Sequence, residues 1–213
     1  MIEQSENALK VAEFLLRIKA VELRPSKPFT WASGWKSPIY CDNRKVLSYP
    51  EVRTYFRQEM VNLINEKYAK PEAVVGVATG GIAMGALVAQ ELGLPFAYVR
   101  PNPKEHGMGN QIEGAIDSGK SIIVIEDLIS TGKSSLKAVD VLKQNDYQIK
   151  GVIALFSYGF AKASANFEES KTSFATLTTY SALIDQALKM EYITEKDLET
   201  LNNWRENPET WGK

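Results

Sequence analysis

The chain has 213 residues, a length that suits one domain with a compact core better than two. Apolar residues make up 44% and charged residues 24%, which excludes a disordered tail protein, a collagen-like fibre and a disulfide scaffold. Lys plus Arg number 25 against 26 Asp plus Glu, a net charge of -1, so no basic excess announces nucleic acid or a membrane surface. An anionic ligand must then be held by a local site.

In chain order, the first residues are acidic and amphipathic rather than basic followed by an apolar block, and do not read as a secretory signal. Ala8, Val11, Ala12, Leu15, Leu16 and Lys19 recur at three and four residues after Ser5, a helix N-cap, and predict a helix with one apolar face. FTWASGWKSPIYCDNR, Phe29 to Arg44, suits a strand, a turn and a second strand. It holds Cys41, the only cysteine, so neither an internal disulfide nor a cysteine metal cluster can form within one chain. A helix is expected from Pro50 to Tyr68. Apolar bursts then alternate with helices: a strand at Ala73 to Val77, a helix from Gly81 to Leu92, strands at Pro95 to Val99 and Ser121 to Asp127, a helix from Ser134 to Asn145, and a strand at Gly151 to Phe156. This alternation predicts an α/β fold with a mostly parallel sheet buried on both faces. A last strand near Phe174 to Thr178 and two short helices, from Tyr180 and after Thr194, close the domain. Residues 101–119 follow neither period and are long for a connection, which reads as a mobile functional loop. No apolar run approaches the ~20 residues of a membrane span, and the cytoplasm is the expected location.

The chemistry concentrates in SIIVIEDLISTGKSSLKAVDVL. An apolar strand ends in Glu126 and Asp127, a small polar loop follows, and a helix begins near Ser134. Ligands of open parallel sheets sit beyond the carboxyl ends of strands, so a site is expected here. Ser130, Thr131, Gly132, Lys133, Ser134 and Ser135 offer backbone N–H groups, hydroxyls, one ammonium and the positive end of a helix dipole, which suit a phosphate monoester. The ending Gly132-Lys133-Ser134 is not that of a nucleoside-triphosphate loop, because Asp127 stands where that motif needs its first glycine. The two acids either grip hydroxyls, as on a ribose, or organise a magnesium ion; alone, they would equally suit a solvated strand end. A second Gly-rich turn, Ala78 to Gly81, is either a ligand contact or a tight packing turn. It lacks the dinucleotide spacing.

VIEDLISTGKS resembles the phosphoribosyl-pyrophosphate (PRPP) signature of the type I phosphoribosyltransferases. FTWASGWKSPIYCDNR resembles the N-terminal segment of the orotate phosphoribosyltransferases, and YVRPNPKEHGMGNQIEG their catalytic loop. The resemblance implies that fold, with residues 1–48 as a hood contributing to base recognition, 70–180 as the core and 101–119 as the loop. It implies PRPP binding by Arg100, Lys104, His106, Glu126, Asp127, Leu128, Ile129, Ser130, Thr131, Gly132, Lys133 and Ser134. Lys104 and His106 become the catalytic pair, and Ser130, Ser33, Gly34 and Tyr40 the contacts to orotate. Magnesium is expected to be held mainly by PRPP and water. The expected assembly is a homodimer whose loop is shared between subunits, with neither nucleic acid nor membrane as partner. The physics of the loop agrees, since cations aimed at departing pyrophosphate oxygens lower the barrier to its loss.

Some positions depart from the family pattern. Pro101 stands where a second basic residue is frequent, Gly80 where a lysine is frequent, and Tyr158 where an arginine helps to hold the orotate carboxylate. Lys133 occupies a place where a small residue is usual. The implied reaction joins orotate to PRPP, giving orotidine 5'-monophosphate and pyrophosphate. Its rivals are transfer to another base by the same fold, and a regulator that keeps the site as a sensor.

Overall fold

The computed structural model describes residues 5–31, 34–68, 70–103 and 111–212. The chain divides into two compact units, one of Met1–Tyr49 with Thr178–Lys213 and the other of Pro50–Leu177. Neither crossing passes through a Gly/Ser-rich linker: the first falls at the start of a helix and the second inside a strand. That is why the sequence carries no linker signal for the division.

The first unit opens with α1 (Glu6–Arg17). The Ser5 side chain accepts the Ala8 N–H at 3.1 Å, and Ala8, Val11, Ala12, Leu15 and Leu16 form the buried stripe. Strand β1 (Val21–Leu23) follows, then the hairpin of β2 (Phe29–Thr30) and β3 (Lys36–Ser37), and then β4 (Ile39–Cys41), antiparallel to β1. A 3-10 turn, Asn43–Ser48, ends this stretch.

The second unit starts with α2 (Pro50–Lys67), which buries Val52, Phe56, Met60, Leu63 and Ile64. Its sheet contains β5 (Ala73–Val77), β6 (Phe96–Val99), β7 (Ile112–Glu113), β8 (Ser121–Ile129), β9 (Gln148–Ser157) and β10 (Phe174–Thr179), in the order β10-β9-β8-β5-β6-β7. The pairs β5/β6, β5/β8 and β8/β9 are parallel, and β7 runs antiparallel to β6. Every residue of β5 is buried, as are Ser121 to Glu126 of β8, in keeping with near-continuous Val and Ile. Helix α3 (Gly80–Leu92) links β5 to β6, and α4 (Lys133–Gln144) links β8 to β9. One core gathers Ala73, Val75, Val77, Ile122, Val124, Val152 and Ala154 of the sheet against Ala138, Val139 and Leu142 of α4. The segment 101–119, which follows neither period, contains β7. Two residues are too few to show a period.

Helix α5 (Ala161–Glu169) was not expected from the sequence. It buries only Ala163 and Phe167, one i,i+4 pair in a polar stretch, so its apolar signal is nearly silent. The chain then returns to the first unit through α6 (Tyr180–Lys189), which packs on α1, and α7 (Glu195–Glu206). The Thr194 N–H donates to the Asp197 carboxylate at 2.9 Å at the start of α7. Trp204 is fully buried against Trp31, edge-on at 5.7 Å, and against Tyr180 at 5.5 Å. Among the described residues no helix is long and apolar enough to cross a membrane.

Candidate functional site

From β5 the chain crosses by α3 to β6 on one side, whereas from β8 it crosses by α4 to β9 on the other. Adjacent parallel strands whose connections leave in opposite directions open a crevice beyond their carboxyl ends. An open cleft of about 290 Å³ lies there. Ala78, Thr79 and Gly80 line one wall, and Glu126, Asp127, Leu128 and Ser130 to Ser135 the other. The Ala78–Thr79 peptide bond is cis.

Glu126 is 5% exposed. Its carboxylate accepts the Asp127 N–H at 3.0 Å and the hydroxyl of buried Ser135 at 3.1 Å. Burial first, and then the neighbouring Asp127 carboxyl, push its pKa well above the ordinary carboxylate range. Burial thus favours the neutral form of Glu126 relative to an exposed carboxyl. Asp127 is half-buried at the rim.

The turn after β8 rests on α5. The Asn166 side-chain amide donates to the Thr131 carbonyl at 2.8 Å. Gly132 adopts φ +79°, and a Cβ there would lie 2.7 Å from the Phe167 ring, so both backbone and space require glycine. The Gly132 carbonyl accepts the Leu136 N–H at 2.9 Å. The N–H groups of the first turn of α4 have no partners within the helix and carry its positive pole, the arrangement that receives phosphate. Lys133 and Ser134 are exposed beside it. Ile129 differs from its neighbours: its side chain is fully buried, and its carbonyl accepts the Tyr158 N–H at 3.1 Å.

The opposite wall explains the glycine at position 80. A Cβ there would lie well inside van der Waals contact with all three atoms of the Asp127 carboxyl group. A lysine side chain therefore cannot start from this position while Asp127 keeps its place. A Cβ at Gly81 would meet the Ile125 backbone carbonyl oxygen just as closely, so only a glycine lets α3 sit this near β8.

Arg100 lies at the end of β6. Its N–H donates to the Gln111 carbonyl at 2.8 Å, the Gln111 side-chain amide donates back to the Arg100 carbonyl at 3.2 Å, and its guanidinium lies 3.5 Å from the Glu113 carboxylate. Lys104 and His106 lie outside the described residues, as does Ser33. Gly34 and Tyr40 belong to the first unit, Gly34 at φ +84° in the β2–β3 turn and Tyr40 exposed with its ring 5.5 Å from that of Phe29. Trp31 stacks with Trp35 at 6.4 Å and donates its indole N–H to the Ile39 carbonyl at 3.1 Å, a packing role. Tyr158 is 3% exposed, stacked on Phe160 at 5.3 Å and edge-on to Phe156 at 5.2 Å.

The structure thus gathers Glu126 to Ser134, apart from Ile129, in one cleft. The supports that escape a reading of the sequence are Asn166 and Phe167 on the unexpected helix, and the fit between Gly80 and Asp127. Among the described residues no cluster of three or more His, Cys, Asp or Glu side chains can hold a metal ion. A divalent cation here would need oxygens from a ligand and water.

The family model of the phosphoribosyl transferase domain matches residues 50–184. An orotate phosphoribosyltransferase of Phocaeicola vulgatus is 54% identical over 200 residues, covering 94% of each chain. The crystal structure of orotate phosphoribosyltransferase from Aeropyrum pernix superposes with a TM-score of 0.74 at 28% identity, covering 86% of this chain and 99% of that one. The structure of Leishmania donovani UMP synthase shares the fold, with a TM-score of 0.78 at 21% identity over 93% of this chain; the chain spans 42% of its length.

Proposed function

The chain belongs to the orotate phosphoribosyltransferases, and from that membership we propose that it transfers the 5-phosphoribosyl group of PRPP to orotate, giving orotidine 5'-monophosphate and pyrophosphate for pyrimidine nucleotide synthesis. The observation that carries the reading is the cleft between β5 and β8, with a carboxyl pair at one end and the N-terminus of α4 at the other. A ribose 5-phosphate needs that combination of acceptors for hydroxyls and N–H donors for a phosphate.

In this reading Glu126 and Asp127 receive the ribose hydroxyls. The turn from Leu128 to Ser134 holds the 5'-phosphate through backbone N–H groups and the hydroxyls of Ser130, Thr131 and Ser134. A ring nitrogen of orotate forms a bond to the anomeric carbon and gives up its proton to solvent or the departing pyrophosphate, while the carbon–oxygen bond to pyrophosphate breaks and its electron pair leaves with pyrophosphate. Arg100, Lys104 and His106 meet the charge gathering on the departing oxygens, and Lys104 and His106 act on the transition state. Orotate is contacted by Ser33, Gly34, Tyr40 and Ser130. Tyr158 is packed between Phe156 and Phe160, and the Gly34 N–H is given to the Trp31 carbonyl at 2.8 Å, so the carboxylate is left to the other backbone N–H groups near residues 33–36.

Magnesium, when bound, offsets part of the pyrophosphate charge. The carboxyl pair fits an ion carried mainly by PRPP and water, because the described residues offer no cluster of three or more acidic or His/Cys ligands to hold one alone. The assembly is proposed as a homodimer with Lys104 serving the partner's site, acting in the cytoplasm.

A base panel tests the reading. Purified protein, magnesium and PRPP are combined with orotate, uracil, hypoxanthine or adenine, and pyrophosphate release is followed. Orotate should be turned over far faster than the others. Equal turnover of uracil and orotate would sink the assignment.

A further inference from the structure

Lys137 lies one turn beyond Ser134 on α4 and is exposed. Its ammonium donates to the Pro101 carbonyl at 2.6 Å, joining positions 36 residues apart. Pro101 directly follows Arg100, in the stem that the reciprocal Arg100–Gln111 bonds close. Between this stem and α4 lies a cleft of about 220 Å³ whose apolar lining comes from Val77, Val99, Ala138 and Val141. The Ala78 N–H holds the stem to the sheet through the Val99 carbonyl at 2.9 Å, and Lys137 adds a bond across this space to the helix. A charged donor on a carbonyl makes that bond a short and strong one.

We propose that Lys137 is a positioning residue, which fixes the stem carrying Arg100 to the helix whose N-terminus receives the phosphate. Occupancy of the turn at Ser130 to Ser134 and placement of the Arg100 guanidinium are then linked through one rigid helix and one hydrogen bond. The inference rests on the reading above that this turn takes a phosphate. Lys137 touches neither reacting group. Its effect passes through Arg100, which the proposed mechanism places against pyrophosphate.

The test compares wild type, Lys137→Met and Lys137→Arg by amide hydrogen exchange, with and without inorganic phosphate as the probe. In wild type, phosphate should slow exchange at Gly132 to Ser135 and also at the Arg100 amide, the latter by up to about fivefold, the most that firming one net hydrogen bond can bring. In Lys137→Met the slowing at Gly132 to Ser135 should persist and that at Arg100 should vanish; Lys137→Arg should restore it. In steady state, Lys137→Met should raise the KM for PRPP by about fivefold with kcat within about twofold, the pattern of a misplaced binding group. Protection of Arg100 by phosphate in Lys137→Met equal to wild type overturns the coupling. So does a fall in kcat with KM unchanged, which would place the effect of Lys137 in the chemical step and not in Arg100. Absence of any phosphate effect at Gly132 to Ser135 in wild type refutes the reading of the turn, and the coupling with it. Failure of the base panel with the exchange pattern intact refutes the choice of base alone.

Discussion

Replacing Gly80 by alanine separates the use of Asp127 from the stability of the fold. Gly80 opens α3 with a backbone that is not left-handed, so alanine is compatible with the local conformation. Such a change stabilises by about 0.4–1 kcal/mol through the unfolded chain, about 1–4 °C in Tm at this size. The added methyl group, however, overlaps the Asp127 carboxyl, which must retreat by about 1 Å to reach ordinary contact. A displacement of that size at a positioned group costs on the order of 10²-fold, about 2.7 kcal/mol. Gly80→Ala should therefore weaken PRPP binding by roughly 10- to 100-fold in calorimetry while its Tm stays level or rises. Gly81→Ala is the control: its methyl group meets the Ile125 carbonyl of a central strand, which cannot retreat, and overpacking of about 1–3 kcal/mol should lower Tm. If Gly80→Ala binds PRPP as tightly as wild type, the position of the Asp127 carboxylate has no bearing on the ligand and this account of the cleft is wrong.

Glu126 has a raised folded pKa, so the folded state holds its proton more tightly than the unfolded chain and stability falls as pH rises above about 4.5. The Tm of Glu126→Gln relative to wild type, measured without ligand, should climb between pH 5 and 8; a constant difference would contradict the burial argument. Glu72 shows the opposite sign. Its carboxylate accepts the Ser121 N–H at 2.9 Å and pairs with Lys120, which lowers its pKa to about 2. Its contribution is complete above the unfolded value and is lost as pH falls toward 2, so the Tm deficit of Glu72→Gln should be full at pH 7 and shrink below about pH 4.5. A deficit undiminished at pH 3 would place the effect elsewhere. Lys104→Ala should lower kcat by on the order of 10²–10³ with a smaller rise in KM. Wild-type turnover at saturation, with product release shown not to limit the rate, would remove Lys104 from the chemistry.

The central sheet was legible because β5, β8 and β9 are fully buried over most of their length, and burial on both faces writes itself as runs of Val and Ile. The phosphate turn was legible because Ser130 to Ser135 are contiguous and their chemistry is local. What lay hidden depends on contacts distant in the chain. Gly132 reads as a generic turn glycine until Phe167, 35 residues on, is seen to fill the space beside it. Nothing in the spacing of Ala161 to Glu169 marks the helix that brings Phe167 there, because a single i,i+4 pair carries its burial. The depression around Glu126 was equally silent: an acidic dipeptide at a strand end looks solvated, and only the 5% exposure and the Ser135 hydroxyl distinguish it. Tyr158 was visible as a departure from the family, whereas its place in an aromatic stack required the coordinates.

The pair of hydrogen bonds between Arg100 and Gln111 has a consequence for redesign. Because the backbone closes on itself there, and β6 and β7 are already in register at Val99 and Ile112, the sheet edge does not depend on what the intervening ten positions spell. Lengthening that insert to twice its size costs only about 0.6 kcal/mol in closure entropy. Inserts of varied length between Arg100 and Gln111 should thus leave melting behaviour nearly conserved, so that activity lost in such variants reports on the insert's own side chains and not on the scaffold.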